Sequence, residues 1–315
     1  LPLVCRFYLS RRTSLISPPC VSPPEGIESA LSFLRRGESS ETGNSDQLIT
    51  DYFRIARYRT FNSKMTDHNG IKKHIILISP TSEDFRKPVA EGKVGRFFPP
   101  LGLLLVAQSL KNAGYEVRLF DGNNDQNYKE SILGAVTERP SEINYVGFYL
   151  AFLQVKDCIE LLKSIKSKWP RITTFLGGPF PSVFPEKTVE SKLVDVVCYG
   201  DGAEVSVRVA DCIKNGKDWS EIPNLYFKKD GCTHNNPKTI TDSLGAHNYI
   251  HYEDFLDLEK YVGKFDVYLG RDFDSEIKRA IPILTALGCS YKCTFCENAL
   301  LDHKHRSLGA KEIVE

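Results

Sequence analysis

The sequence predicts an α/β protein built on a doubly wound, mostly parallel sheet, followed by a shorter region that opens on one further strand. Three observations carry this. Short runs rich in β-branched and aromatic residues alternate with helical patterns, the rhythm of repeated βα units. Glycine turns come after the runs at Gly177-Gly178 and Gly200-Asp201-Gly202. Three cysteines then crowd into one loop directly after the last apolar run, residues 281–287.

Strands are expected at His74–Ser79, 115–121, Ile143–Tyr149, 172–176 and 194–199, each short enough to be buried on both faces. Helices fill the gaps. Leu101–Asn112 carries Leu104, Leu105, Gln108 and Leu110 and stops at Gly114; residues 153–168 stop before Pro170; Ala203–Asn215 stops at Gly216. Residues 224–229, with Asp230-Gly231 after them, read as an added edge strand and its turn. The domain expectation is therefore a leader over 1–64, an α/β domain over 65–235, a linker over 236–280 with acidic and aromatic residues but no period, and a new domain beginning at 281–315.

The leader stands apart by its basic residues. Residues 1–63 hold eight Arg and no Lys, whereas residues 65–315 hold nine Arg and 23 Lys. Proline–serine clusters at Ser17-Pro18-Pro19 and Ser22-Pro23-Pro24 add to the contrast. Met65 is the only methionine, and the expectation for the stretch before it is upstream sequence translated in error. A transit peptide is the alternative, although Glu25, Glu28, Glu38, Glu41, Asp46 and Asp51 spoil the acid-poor signature.

Composition excludes several classes. A net charge of +1 with interspersed signs leaves no footprint for nucleic acid. No run of 18 apolar residues exists, so no membrane span and a cytoplasmic protein are expected. The nine cysteines are not spaced as a disulfide framework. Cys158, Cys198 and Cys212 fall within expected elements and read as small buried apolar residues. Cys232 falls in a turn, Cys5 and Cys20 fall in the leader, and His234, His247 and His251 lie along the linker without metal spacing.

Gly288-Cys289-Ser290-Tyr291-Lys292-Cys293-Thr294-Phe295-Cys296 is a C-x3-C-x2-C loop after a strand. Three thiolates on one tight loop can each reach a different iron of a cubane, leaving the fourth iron open to a substrate. The spacing, the aromatic before the third cysteine and the preceding strand together resemble the radical S-adenosylmethionine (radical SAM) superfamily. The resemblance implies a [4Fe-4S] cluster on Cys289, Cys293 and Cys296, S-adenosylmethionine chelated by the open iron, Phe295 packed near its adenine, and an electron donor such as flavodoxin or ferredoxin. It also implies that 281–315 opens a (β/α) barrel. On that reading the chain ends inside the first barrel helix and is catalytically incomplete, since a barrel needs several strands to bury the first. The bland alternative is a structural zinc site completed by His303 or His305.

Phe98-Pro99-Pro100-Leu101-Gly102-Leu103, Ala113-Gly114-Tyr115-Glu116-Val117 and Asp121 resemble the opening of the cobalamin-binding domain that precedes many radical SAM barrels. Gly177-Gly178-Pro179 and Gly200-Asp201-Gly202-Ala203-Glu204 fall where that family has its glycine turns. Ligands of open α/β sheets bind at the carboxyl ends of the strands, and glycines there let the backbone approach. The resemblance, over roughly residues 71–315, implies a Rossmann-like domain with cobalamin contacts at Pro100, Leu101, Gly102, Asp121, Asn123, Gly177, Gly178, Gly200, Gly202 and Glu204. It implies methylation of an unactivated carbon or a related radical reaction. Two departures stand out. Asp121 is succeeded by Gly122-Asn123-Asn124 and not by the Asp-x-His-x-x-Gly pattern, so cobalt is expected to lack a protein histidine, and Asp201 stands where Glu is common. A methylthiotransferase would share the cysteine loop but would need further cluster cysteines in its first domain.

Overall fold

A computed structural model describes residues 72–81, 98–125, 127–240, 250–262, 281–296 and 304–314. The expected leader, with Cys5 and Cys20, and also His247 and His303, lie outside the described residues.

The α/β domain begins with β1 (His74–Ser79), whose sequence HIILIS is buried along almost its whole length. Such continuous apolar strands form where both faces of a parallel sheet are covered. The chain continues through α1 (Leu101–Asn112), β2 (Glu116–Asp121), α2 (Tyr128–Glu138), β3 (Ile143–Tyr149), α3 (Val155–Lys168) and β4 (Thr173–Gly177). Two short helices, α4 (Pro179–Val183) and α5 (Pro185–Glu190), each entered on a proline, precede β5 (Val196–Cys198) and α6 (Ala203–Asn215). A hairpin of β6 (Leu225–Lys229) and β7 (Cys232–Asn235) completes the sheet.

The strand order is β2-β1-β3-β4-β5-β6-β7. Pairings from β2 through β5 are parallel, and those of β5–β6 and β6–β7 are antiparallel. This is a doubly wound Rossmann-like sheet with its switch point between β1 and β3. Alternate side chains of each strand feed opposite faces. Ile75 and Leu77 pack with Tyr145 under Leu103, Ala107 and Leu110 of α1 and Val205 and Val209 of α6. Ile76 and Ile78 pack with Val146 and Phe148 under Ile132 and Val136 of α2 and Leu161 and Ile165 of α3.

Helix ends agree with the sequence reading. After α1, Tyr115 N donates to Leu110 O at 3.0 Å; after α6, Lys217 N donates to Cys212 O at 2.8 Å. Both are six-to-one bonds that satisfy carbonyls left open at a helix end. Cys158 and Cys198 are buried as expected, Cys212 is half-buried, and Cys232 opens β7.

The stretch read as a linker is laid against the domain over residues 250–262. His251 N donates to Gln108 Oε1 at 3.0 Å, Asp254 pairs with Lys111, and Phe255 packs on the α1–α6 side. Tyr261, buried, donates its hydroxyl to Asp121 Oδ2 at 2.8 Å.

Around the cysteines the structure is sparer. β8 (Ala286–Leu287) pairs antiparallel with β9 (Arg306–Ser307), and α7 (Ala310–Val314) comes next. The strand expected over 281–287 is therefore only two residues long, because pairing requires a neighbour and, among the described residues, 306–307 provides the neighbour. No helix among the described residues is long and apolar enough to cross a membrane.

Candidate cofactor-binding site

A cavity of about 670 Å³ opens at the carboxyl edge of the sheet. Its floor is Leu77 of β1, Gly147 to Tyr149 of β3, Phe175 and Gly177 of β4 and Cys198 of β5. Its walls come from the first turns of α1 and α6, and Leu287 and Arg306 of the cysteine region reach the same space.

Of the ten residues carried over from the resemblance for this edge, six line the cavity: Gly102, Gly177, Gly178, Gly200, Gly202 and Glu204. The glycines are not equivalent. Gly178 has φ +99°, and a Cβ there would meet the backbone of Leu150 and the ring of Tyr149, both at 3.0 Å, so the protein's own packing demands it. At Gly102 and Gly177 a Cβ would have its nearest neighbours at 3.8 and 3.9 Å. Side chains would fit there, and their absence leaves the cavity open.

Pro100, Leu101, Asp121 and Asn123 are elsewhere. Pro100 caps α1 through its carbonyl, which accepts from Leu103 N and Leu104 N at 2.9 Å. Asp121 ends β2 at the edge of the sheet, two strands from β3, and its carboxylate accepts from Asn123 N at 3.1 Å as well as from Tyr261. Burial pushes the Asp121 carboxyl up, against the opposing pull of those bonds. The carboxylate serves an internal tie to the 250–262 stretch. Asp121 and Asn123, expected as cobalamin contacts, are not among the residues that line the cavity.

Several lining residues are not singled out in the sequence as site residues. Asp201, Arg208, Asn224, Thr239 and Arg306 add polar groups to a lining that also includes the apolar Val106, Phe148 and Phe175. In sequence Asp201 stands out only as a departure from Glu, yet it accepts two hydrogen bonds from Arg306. The Cys198 thiol is pushed up to about 12 by burial and stays protonated at neutral pH.

The cysteine loop begins at Gly288, whose φ is +77° and whose Cα faces the carbonyl of Lys304 closely enough that no side chain fits. Cys293 is exposed, and Cys289 and Cys296 are half-buried. Tyr291 N donates to Cys289 Sγ at 3.5 Å, and Cys296 N to Cys293 O at 3.0 Å. Among the described residues no group of three or more His, Cys, Asp or Glu is gathered in space as a metal site. The three thiols fit an iron–sulfur cluster by donor chemistry and by sharing one short loop; drawing the sulfurs together falls to the metal. His305 is exposed. Phe295, expected near an adenine, is 92% exposed in the chain by itself.

The order of the strands, the helices on both faces and a cavity at the carboxyl edge define a doubly wound α/β domain with its candidate site at the topological switch point. Residues 88–210 match the B12 binding domain family. It is 28% identical to the hopanoid C-3 methylase of Methylococcus capsulatus over 72% of this chain and 41% of that protein. It is 26% identical to an uncharacterised methyltransferase of Pyrococcus horikoshii over 76% of this chain and 49% of that one. The anaerobic magnesium-protoporphyrin IX monomethyl ester cyclase of Synechocystis is 23% identical over 69% and 42%. The chain thus spans less than half the length of each of these curated relatives. In fold it is similar to the cobalamin-dependent S-adenosylmethionine radical enzyme OxsB with aqua-cobalamin and S-adenosylmethionine bound, with a TM-score of 0.57 at 17% identity over 77% of this chain and 30% of that one. The B12 binding domain match covers Gly102 and the glycine turns at Gly177-Gly178 and Gly200-Asp201-Gly202, from which the cobalamin-binding resemblance is read.

Proposed function

We propose that the protein acts as a cobalamin-dependent radical SAM enzyme, most simply a methyltransferase acting on carbon. The single observation that carries this is the shared wall. The flanks of the cysteine loop, Leu287 and Arg306, line the same cavity as the glycine turns within the B12 binding domain match, which supports a reading in which two cofactors adjoin. The relatives named as methylase and methyltransferase support the reaction class.

The backbone at Gly102, Gly177, Gly200 and Gly202 would approach a flat macrocycle, while Glu204, Arg208, Asn224 and Thr239 offer hydrogen bonds to its amide-bearing rim. Cys289, Cys293 and Cys296 would hold a [4Fe-4S] cluster. When bound, the cluster supplies an electron and an open iron for S-adenosylmethionine, and cobalamin supplies a cobalt able to carry a methyl group. The chain's own contribution is placement and dryness: Leu77, Phe148, Phe175 and Leu287 keep water from the cavity, and Phe295 is free to pack on an adenine. A small reduced electron carrier and a cytoplasmic, reducing setting belong to this reading.

The test uses the full chain purified without oxygen. Reconstitution with iron and sulfide is expected to give about four of each per chain, and titration with aquacobalamin is expected to shift its visible spectrum at micromolar protein. Zinc in place of iron, together with an unchanged cobalamin spectrum, would overturn the assignment.

A further inference from the structure

Asp201 and Arg306, far apart in sequence, close the wall between cavity and cysteine loop. Arg306 Nη1 donates to Asp201 Oδ2 at 2.6 Å and Nη2 to Oδ1 at 3.1 Å. The Arg306 side chain is 5% exposed and that of Asp201 25%. The remaining edge of the guanidinium, Nε, donates to Lys304 O at 3.3 Å, and Lys304 O is the atom that faces Gly288. One planar cation therefore joins the glycine turn after β5 to the residue that precedes Cys289. Leu287 opposite Arg306 in the β8–β9 pair adds a second join.

A two-pronged pair fixes orientation as well as distance. The two-pair ladder ties Arg306 to Leu287 within the cysteine region, and the ion pair, with the Tyr252 hydroxyl donating to Pro282 O at 3.0 Å, ties that region to the sheet domain and the stretch laid against it. A molecule filling the cavity presses on Asp201, Gly202, Leu287 and Arg306, which are all lining residues. A metal that fixes Cys289 fixes Gly288 and Leu287 in turn. We propose that Asp201 and Arg306 are positioning residues that couple loading of the cavity to loading of the cysteine loop, so that cobalamin and cluster each raise the affinity for the other. This rests on the two-cofactor reading above. Coupling of this kind is reciprocal by thermodynamic necessity.

The full chain is titrated anaerobically with aquacobalamin, with and without prior cluster reconstitution, and the ratio of the two dissociation constants is read. The cluster should tighten cobalamin on the order of 10-fold. Asp201→Asn, Arg306→Gln and the double variant should each bring the ratio to about one, the double showing no further loss, as expected for two partners of one link. Asp201→Glu should restore part of it. Arg306→Lys, which keeps the charge and loses the fork, is the variant least prone to misfold and should lower the ratio as well. A ratio of one in the parent chain with both cofactors bound would overturn the link and leave the proposed function standing. A ratio that survives Asp201→Asn and Arg306→Lys would overturn it too. A parent chain that binds neither cofactor would overturn both.

Discussion

In residues 72–240 every central strand is covered on both faces, and Ile78, Ile132, Val146 and Val209 are withdrawn from water entirely. In residues 281–314 the ladder is two residue pairs long, and Tyr291 and Phe295 face solvent at 75% and 92%. The first region is held by removal of apolar surface from water, worth about 1.5–3 kcal/mol for each large side chain fully buried. Among its described residues the second has almost no such burial and is joined by a charged pair and a glycine fitted against a carbonyl. On the proposed function, one region folds by its core and the other gains order from its ligands.

The sharpest way to break this contrast is to remove the thiols. Cys289→Ala, Cys293→Ala and Cys296→Ala together should abolish iron–sulfur absorption after reconstitution while leaving the urea unfolding of the sheet domain where it was. Retained absorption would sink the cluster assignment, and a large loss of sheet stability would show that the regions are not separable. Next in size is the core itself. Ile132→Ala should destabilise the domain by about 2–5 kcal/mol through lost burial and the cavity left behind, whereas Phe295→Ala should stay within about 0.5 kcal/mol. Equal effects in denaturant titration would contradict the division.

Alkaline pH offers a third handle. The Cys158 and Cys198 thiols ordinarily titrate at 9.0, and burial pushes both up to about 12 in the folded chain. Between those values the folded state holds more protons than the unfolded one, so stability falls as pH rises from 9 to 12. Cys158→Ala and Cys198→Ala should flatten that decline, and in the parent chain Cys293 should react with iodoacetamide well before either. Fast labelling of Cys198 at neutral pH would mean that the cavity floor opens. The smallest expected effect is a gain. Gly134 lies within α2 with nothing near the position of a Cβ, so Gly134→Ala should stabilise the domain by about 0.4–1 kcal/mol, read as a rise in melting temperature.

Legibility divides along the same line. Strands that are buried on both faces, such as HIILIS, announce themselves because burial writes a continuous apolar run. Helix stops at Gly114 and Gly216 are equally readable, since each is a local event. α2 is harder to see although Tyr128, Ile132, Ala135 and Val136 mark one side of it, because Gly134 interrupts the pattern. Position in the sheet is not readable. Asp121 sits at a strand end in sequence as Gly177 does, but the order 2-1-3-4-5 sends β2 to the edge and β4 to the middle, and only the second faces the cavity. The contact of Asp201 with Arg306 spans more than a hundred residues, and no local pattern encodes it. Residues 281–287 look like a buried strand, yet strand formation depends on a neighbour that the run itself does not specify.

The contacts of residues 250–262 bear on how the two regions find each other. A chain joining two bodies through a slack connector explores a volume set by the connector's full contour, and each doubling of a loop adds only about 0.6 kcal/mol to the cost of closing it. Here the connector is fastened at Gln108, Lys111 and Asp121, along α1 and at the tip of β2. The chain beyond Tyr261 therefore departs from one fixed corner of the carboxyl edge. The cysteine loop begins its search from that corner, at a local concentration governed by the remaining length and not by the whole connector. Tyr261→Phe would lengthen that leash without touching either cofactor site.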